Sequence, residues 1–249
     1  MMRKIFTLSL VLFGLGLMAQ PDDDEIVYYT DSKVNNSRFN LALNLNPYYS
    51  DMRLINNDAS NSLFNTYSQE FDAKGSFVFD YGLDLFYEIG SSFHIGVGIA
   101  RAHGAYTWQD VVLDTLSPNL RADNEVEISM ISIPIKVNFT TRISETFSLE
   151  VVPMVELNFL DKYDGRISYN GASGAPADSS FNLNDDLQDL NWSVGIALGG
   201  TYWINNEFGI FVRGSVRYLL NDMVRPEGYT WPRETLLNFG LNTGLKVKF

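Results

Sequence analysis

Charged residues at regular spacings are the first feature of this chain that could support chemistry. Asp80, Asp84 and Glu88 stand four residues apart, and Arg213 and Arg217 repeat the same spacing. Residues an even number apart on a β-strand lie on one face, so each set forms a column of like charge. Opposed acidic and basic columns can form an ion path or gate, or they can neutralise one another in a closed interior.

The same strand faces carry further charges, and acids and bases balance. The five acids and five bases are Asp80, Asp84, Glu88, Glu150 and Glu156, with Lys136, Arg213, Arg217, Lys246 and Lys248. An unpaired ion in a narrow, low-dielectric space costs several kcal/mol, so equal numbers favour pairing. We therefore predict a self-neutralising structural network, with an ion path as the alternative.

A second candidate site combines Arg101 and His103 with Glu127 and Ser129. Strand parity places all four side chains on one outer face. A serine, a histidine and a carboxylate can hydrolyse an ester, and the group resembles outer-membrane lipid A deacylases in outline. In those enzymes the histidine and serine stand two apart on one strand, where this chain has Ala105. The favoured interpretation is that Arg101 and His103 contact lipopolysaccharide phosphates or lie in the headgroup zone.

Composition excludes several other kinds of chemistry. The 249 residues include no cysteine, which excludes disulfides, thiol catalysis, cysteine-bound metals and a lipoprotein anchor. The formal net charge of -12 argues against a nucleic-acid partner, which requires a basic surface. An acidic loop lacks EF-hand spacing, so we interpret it as solvated and predict no metal or cofactor. Its acids are Asp178, Asp185, Asp186 and Asp189.

The N-terminus indicates the compartment. Residues 1–19 have a basic start, an apolar run from Ile5 to Met18 and a small residue at Ala19, which is typical of a secretory signal peptide. An acidic, polar segment follows over residues 20–37, and we predict a periplasmic lead-in without firm structure. Residues 38–249 then form the folded domain.

The folded domain repeats a two-residue alternation of apolar and polar side chains. This alternation is typical of β-strands that have one apolar face. Eight such segments occur, and each is long enough to form a strand. They span residues 38–49, 76–88, 93–100, 130–139, 147–159, 190–203, 208–220 and 235–249.

The links between these segments alternate in length. The short links are Gly90–Ser92, Thr140–Thr146 and Asn205–Glu207, and the long links are Ser50–Lys74, Gln109–Asn124, Asp161–Asp189 and Asn221–Glu234. Bacterial outer-membrane barrels have short periplasmic turns and long extracellular loops. We therefore predict an all-β fold, an eight-stranded antiparallel transmembrane up-and-down β-barrel with both termini in the periplasm. A soluble β-sandwich or a soluble barrel such as a lipocalin is the alternative.

The predicted barrel has consequences for its interior and for its surroundings. Eight strands enclose only enough space for side chains, so the lumen should be filled. Closure lets the apolar face point outward, which makes outer-membrane lipid and lipopolysaccharide the expected partners. Pro134 and Pro153 each remove a hydrogen-bond donor from a strand, and we expect a bulge or bend near them.

The last strand carries a pattern that resembles the C-terminal signal of outer-membrane barrels. A polar residue is followed by glycine two positions later and by apolar residues at the third-last and last positions. These are Asn242, Gly244, Val247 and Phe249. The resemblance implies recognition by the barrel-assembly machinery, with Phe249 facing lipid near the periplasmic interface.

Two consecutive strand segments carry a family resemblance. "ISIPIKVNF" (Ile131–Phe139) and "FSLEVVPMVELNFL" each contain a central proline. With the "GLMAQ" signal end and the final "KVKF", they resemble the PorT-like outer-membrane β-barrel family of Bacteroidetes. The named member of that family resembles a component needed for type IX protein secretion, but no residue here marks that role.

The predicted function is a non-enzymatic structural or interaction role in the cell envelope. This includes surface binding, or an accessory role in secretion with an unidentified partner. A barrel-embedded lipid-modifying hydrolase and a narrow solute or ion channel are the alternatives.

Overall fold

The computed structural model describes residues 38–55, 73–112, 121–170, 177–182, 184, 188–221, 223 and 233–249. The predicted signal peptide and lead-in lie outside these residues. Within the described part no helix is long and apolar enough to span a membrane. The strands found there are β1 Phe39–Ile55, β2 Ala73–Gly90, β3 Phe93–Val112, β4 Arg121–Arg142, β5 Phe147–Asn170, β6 Ser179–Asn182, β7 Asn191–Trp203, β8 Phe208–Leu219 and β9 Arg233–Lys248.

Eight of these strands close into an antiparallel ring. The order around the ring is β1, β2, β3, β4, β5, β7, β8 and β9, and β9 pairs back onto β1. The remaining strand, β6, pairs with the distal part of β5. Consecutive ring strands run in opposite directions, so the predicted eight-stranded up-and-down barrel is confirmed.

The alternation of side chains gives the barrel an apolar outside and a polar inside. In β8, Phe208, Ile210 and Val212 are exposed, whereas Arg213 and Ser215 are buried. The other ring strands continue this exposed apolar band around the barrel. A water-soluble barrel has the opposite polarity, because its apolar side chains must be buried. Closure satisfies the backbone hydrogen bonds, so the apolar band can face lipid hydrocarbon.

The polarity inverts where β4 and β5 continue beyond the apolar band. These strands have 22 and 24 residues, more than the roughly 9–11 needed to span a bilayer. We call residues 121–129 of β4, 161–170 of β5 and strand β6 the extension. Its outer face exposes Glu125, Glu127 and Arg166. Polar residues outside and apolar residues inside are the arrangement expected in water.

The inner face of the extension contributes to a buried apolar cluster, which we call the apolar plug. It contains Met52, Ala102, Tyr106, Val126, Ile128, Met130, Tyr163, Leu219, Met223 and Leu236. The hydroxyl groups of Tyr106 and Tyr163 are 2.6 Å apart and hydrogen-bonded. Phe181 of β6 packs against the plug, and its ring occupies the space that a Cβ on Gly165 would need.

A β-bulge accompanies the inversion of polarity in β5. The register of β4 against β5 shifts between Ser129 and Met130, which leaves Asp161 as an extra residue. A one-residue insertion moves all later side chains to the opposite face. As a result, even-numbered Leu160 and odd-numbered Tyr163 both pack at the apolar plug.

The β4–β5 and β5–β7 registers pass Pro134 and Pro153 without a shift, so the structure shows no bulge at either proline. The expectation about one long link is wrong. The predicted loop Asp161–Asp189 is partly strand, because β5 continues to Asn170 and β6 returns along it. The other long links are also shorter than predicted, because the strands beside them extend into the predicted link residues.

We predict that lipids with brominated acyl chains will quench Trp192 fluorescence strongly and Trp203 fluorescence weakly. Trp192 is exposed in the apolar band, whereas the Trp203 indole donates to Ser148 in the lumen at 3.2 Å. Two variants, each with one of these tryptophans and phenylalanine at the other tryptophan positions, would be folded into vesicles. Stronger quenching of Trp203 would contradict the assigned inner and outer faces.

Candidate functional site

The predicted charge network lies inside the barrel. The alternation of β2, β4, β5, β8 and β9 directs all ten predicted side chains into the lumen. Each has a partner of opposite charge within the ion-pair distance. These ion pairs join strands that are not neighbours in the ring, so they cross the lumen.

Glu150 of β5 is the centre of the most buried group. It accepts hydrogen bonds from the Arg213 guanidinium, with Nε at 2.8 Å, and from Lys246 Nζ at 2.5 Å. Arg213 Nη1 also donates to Asn242 Oδ1 at 2.9 Å, and Asn242 donates to Asn46 Oδ1 at 2.7 Å. Two cations thus share one carboxylate, and amide groups satisfy more of their hydrogen-bonding capacity.

Asp84 and Lys136 form a second buried pair. Lys136 Nζ donates to Asp84 Oδ2 at 2.5 Å, and Asn44 donates to the same oxygen at 2.8 Å. A Cβ on Gly98, opposite Asp84 in the register, would overlap the Asp84 carboxylate. Glycine at this position therefore provides the space in which the carboxylate meets its lysine.

Arg217 is the centre of the third group, which lies next to the apolar plug. Its Nη1 atom is 2.8 Å from Asp80 Oδ2 and 3.6 Å from Glu156 Oε2. Ser193 donates its hydroxyl proton to Glu156 at 2.7 Å. The guanidinium carbon lies 5.2 Å from the centre of the Tyr48 ring, within cation–π range.

Glu88 and Lys248 lie at the end of the lumen near the start of β1 and the C-terminal residue Phe249. Lys248 Nζ is 2.9 Å from Glu88 Oε2, and Asn40 donates to the same carboxylate at 2.9 Å. His94 Nε2 lies 3.8 Å from Glu88. These side chains are less buried than the Glu150 group, so water screens their charges more strongly.

Aromatic side chains fill the space between the ion pairs. Phe86 and Phe211 are fully buried, and the Arg213 guanidinium lies 4.2 Å from the centre of the Phe211 ring. Lys246 Nζ lies 5.9 Å from the centre of the Phe86 ring. The centre of the lumen is therefore packed with mutually neutralised side chains, as expected of a narrow eight-stranded barrel.

The four residues of the predicted surface site do not form one group. Arg101 pairs with Asp161 at 2.6 Å, and Glu127 lies 3.8 Å from Lys162. His103 is the cross-strand neighbour of Ser129. The carboxylate beside His103 is that of Asp80, 3.7 Å from Nδ1, and not that of the predicted Glu127.

This arrangement does not favour ester hydrolysis. Asp80 accepts a hydrogen bond from the His103 backbone N–H at 2.7 Å and also binds Arg217. The Ser129 hydroxyl oxygen is buried and has no hydrogen-bond partner among the described residues. A nucleophile must contact both its base and a substrate, and this hydroxyl contacts neither a base nor the surface.

The predicted assembly signal lies on the strand that closes the ring. Asn242 and Gly244 face the lumen, and a Cβ on Gly244 would overlap the backbone of Leu43 on β1. The Phe249 backbone N–H donates to the Phe39 carbonyl oxygen at 3.1 Å, and the two rings stack with centres 6.4 Å apart. Phe249 is exposed on the outer face, and Val247 is half-buried.

Several contributors to these sites were not predicted from the sequence. Asp161 and Lys162, which pair with Arg101 and Glu127, were assigned to a loop. The alternation in "KYDGRISYN" was the available signal, because Tyr163 and Ile167 alternate with polar residues. This alternation has the polarity of a strand in water, opposite to that of the apolar band. The predicted loop acid Asp178 lies 3.6 Å from Arg166, whereas Asp185 and Asp186 lie outside the described residues.

Solved structures of outer-membrane proteins resemble this chain at low sequence identity. No protein-family model and no curated protein matches the chain. Neisserial surface protein A is 14% identical, with a TM-score of 0.44 over 86% of this chain and 98% of that chain. The outer membrane protein OprG from Pseudomonas aeruginosa is 12% identical, with a TM-score of 0.43 over 86% and 96%. The outer membrane protein AlkL is 16% identical, with a TM-score of 0.38 over 91% and 96%. Function does not follow from such similarity, because one fold supports many functions.

We predict that Glu150→Gln will lower the free energy of unfolding by about 3–5 kcal/mol, because it leaves Arg213 and Lys246 buried without a counter-charge. The matched control is Glu88→Gln at the more exposed end, with an expected loss of about 1 kcal/mol or less. Urea unfolding of protein folded in lipid vesicles would measure both changes. Equal losses would show that burial does not determine the contribution of these pairs.

Proposed function

We propose that this chain is a non-enzymatic outer-membrane β-barrel that acts as a structural and interaction element of the cell envelope. The observation that carries the proposal is the filled interior. The charge network occupies the membrane-spanning part of the lumen, and the apolar plug occupies the part within the extension. A barrel filled in this way offers its outer surfaces for function, where loops and extended strands can bind partners.

Several features support a position in the outer membrane. The apolar band suits a lipid environment, and antiparallel closure leaves no unpaired strand edge in the ring. An even number of ring strands brings the start of β1 and the end of β9 to the side of the short turns, at residues 91–92, 143–146 and 204–207. In outer-membrane barrels this side faces the periplasm. The predicted signal peptide agrees with this orientation.

The proposed partners follow from these surfaces. Outer-membrane lipid contacts the apolar band, and lipopolysaccharide headgroups lie at the height of Arg101 and Lys162. The barrel-assembly machinery recognises the last strand through Asn242, Gly244, Val247 and Phe249. We assign no nucleic-acid partner, since the net charge is -12.

A more specific role rests on the PorT-like resemblance. The proline-containing strands β4 and β5 that carry the resemblance are also the strands that form the extension. We propose that the extension is the surface that binds a protein partner, either an envelope or secretion component or a ligand at the cell surface. Its exposed charges, Glu125, Glu127 and Arg166, give this surface polar groups for recognition.

We predict that the purified protein will show no stable conductance steps in planar lipid bilayers. Ions cannot pass where Arg213, Lys246 and Phe211 are fully buried among their partners. A large open porin, added to the same bilayers, is the positive control. Reproducible ohmic steps that increase in number with protein concentration would favour the channel alternative.

We predict that a photo-crosslinking amino acid at Ser180 in living cells will give a discrete protein adduct. Ser180 is exposed on β6 of the extension. The control positions are Leu83, which is exposed in the apolar band, and Glu145, which is exposed in a short turn. An adduct formed at a control position but not at Ser180 would contradict a partner-binding extension.

A further inference from the structure

A small cavity lies where the charge network meets the apolar plug. Its volume is about 10 Å³. Asn158, Arg217 and Asn238 line its polar side, and Leu219 and Leu236 contribute apolar surface. An accessible volume of roughly 10–15 Å³ is enough for one water molecule and excludes larger ligands.

Three polar atoms of the residues that line this cavity lack hydrogen-bond partners among the described residues. They are Asn158 Oδ1, Asn238 Oδ1 and Arg217 Nη2. Their residues are 1%, 2% and 7% exposed, so bulk solvent does not compensate them. A buried polar atom without a partner costs about 1–3 kcal/mol. Because the residues of all three atoms line one cavity, a single small molecule in it could hydrogen-bond to all three.

Neighbouring hydrogen bonds determine the orientation of the Asn158 amide. Its Nδ2 atom donates to Ser193 Oγ at 2.9 Å. Ser193 has already donated its only hydroxyl proton to Glu156. If the amide were reversed, its oxygen would face an oxygen that has no proton to share. The Oδ1 atom therefore acts as an acceptor elsewhere.

We propose that the cavity is the binding site of one structural water molecule. The water donates its two protons to Asn158 Oδ1 and Asn238 Oδ1, and it accepts a hydrogen bond from Arg217 Nη2. A halide ion could accept from Arg217 but would face two amide oxygens. A metal cation could bind those oxygens but would face the guanidinium. Water is the molecule of this size that both donates and accepts.

The bound water extends the contacts of Arg217 around the barrel. Arg217 belongs to β8 and already pairs with Asp80 of β2 through Nη1. The water joins its other nitrogen to β5 through Asn158 and to β9 through Asn238. Arg217 and Asn238 are also register partners across β8 and β9. Met130, Leu219 and Leu236 of the apolar plug also line this cavity. The site does not depend on the proposed partner-binding function.

A crystal structure at about 2 Å resolution or better tests this site directly. The expected result is a single density peak at about 2.7–3.2 Å from each of the three atoms. The absence of a peak, in maps that resolve other lumen waters, would overturn the proposal. A peak with anomalous signal after a bromide soak would also overturn it, because a halide would then occupy the site.

The matched variants are Asn238→Leu and Asn138→Leu. Both remove a buried lumen asparagine, but only Asn238 lines the cavity. We expect the peak to disappear in Asn238→Leu and to persist in Asn138→Leu, with the Arg217–Asp80 ion pair retained in both. Persistence of the peak in Asn238→Leu would contradict the assigned coordination. If that variant does not fold, the wild-type maps alone decide the proposal.

Discussion

Closure of the backbone hydrogen-bond ladder is the constraint on which the rest of this structure depends. Hydrocarbon offers no partner to a free N–H or C=O group, so a sheet in a membrane must pair its first strand with its last. Here β9 pairs with β1, and the hydrogen bond from Phe249 to Phe39 continues the contact to the last residue. Once the ring closes, the alternating side chains divide into lipid-facing and lumen-facing sets.

The closed ring then determines what the interior must contain. Eight strands leave a narrow lumen, in which an isolated ion would lose most of its solvation. Each acid of the network is therefore paired with a base, and amide side chains such as those of Asn44 and Asn242 add hydrogen bonds to the paired charges. Glu150 neutralises cations from β8 and β9, so the network connects strands that are not neighbours. Removing one partner is therefore expected to cost more than the pair contributes.

The surroundings of the barrel change along its axis from lipid to water, and the polarity of its inner and outer faces changes with them. Within the apolar band, polar side chains face inward. In the extension, Val126 and Tyr163 face inward and Glu125 faces outward. The bulge at Asp161 changes the side-chain parity of β5 at this boundary. The result is a filled barrel whose extended, water-facing strands are available to a partner, which is the basis of the proposed envelope role.

The two-residue alternation and the unequal links determined the fold class, the number of ring strands and the inward set of charges, because these follow from local strand geometry. The partners of those charges depend on register, bulges and closure, which join residues far apart in sequence. Only the tertiary structure therefore paired Arg217 with Asp80, and it placed His103 beside Asp80 and Glu127 beside Lys162 rather than in one catalytic group. Residues 161–170 and strand β6 were assigned to a loop because their alternation has the polarity suited to water, and sequence alone does not show where the lipid ends.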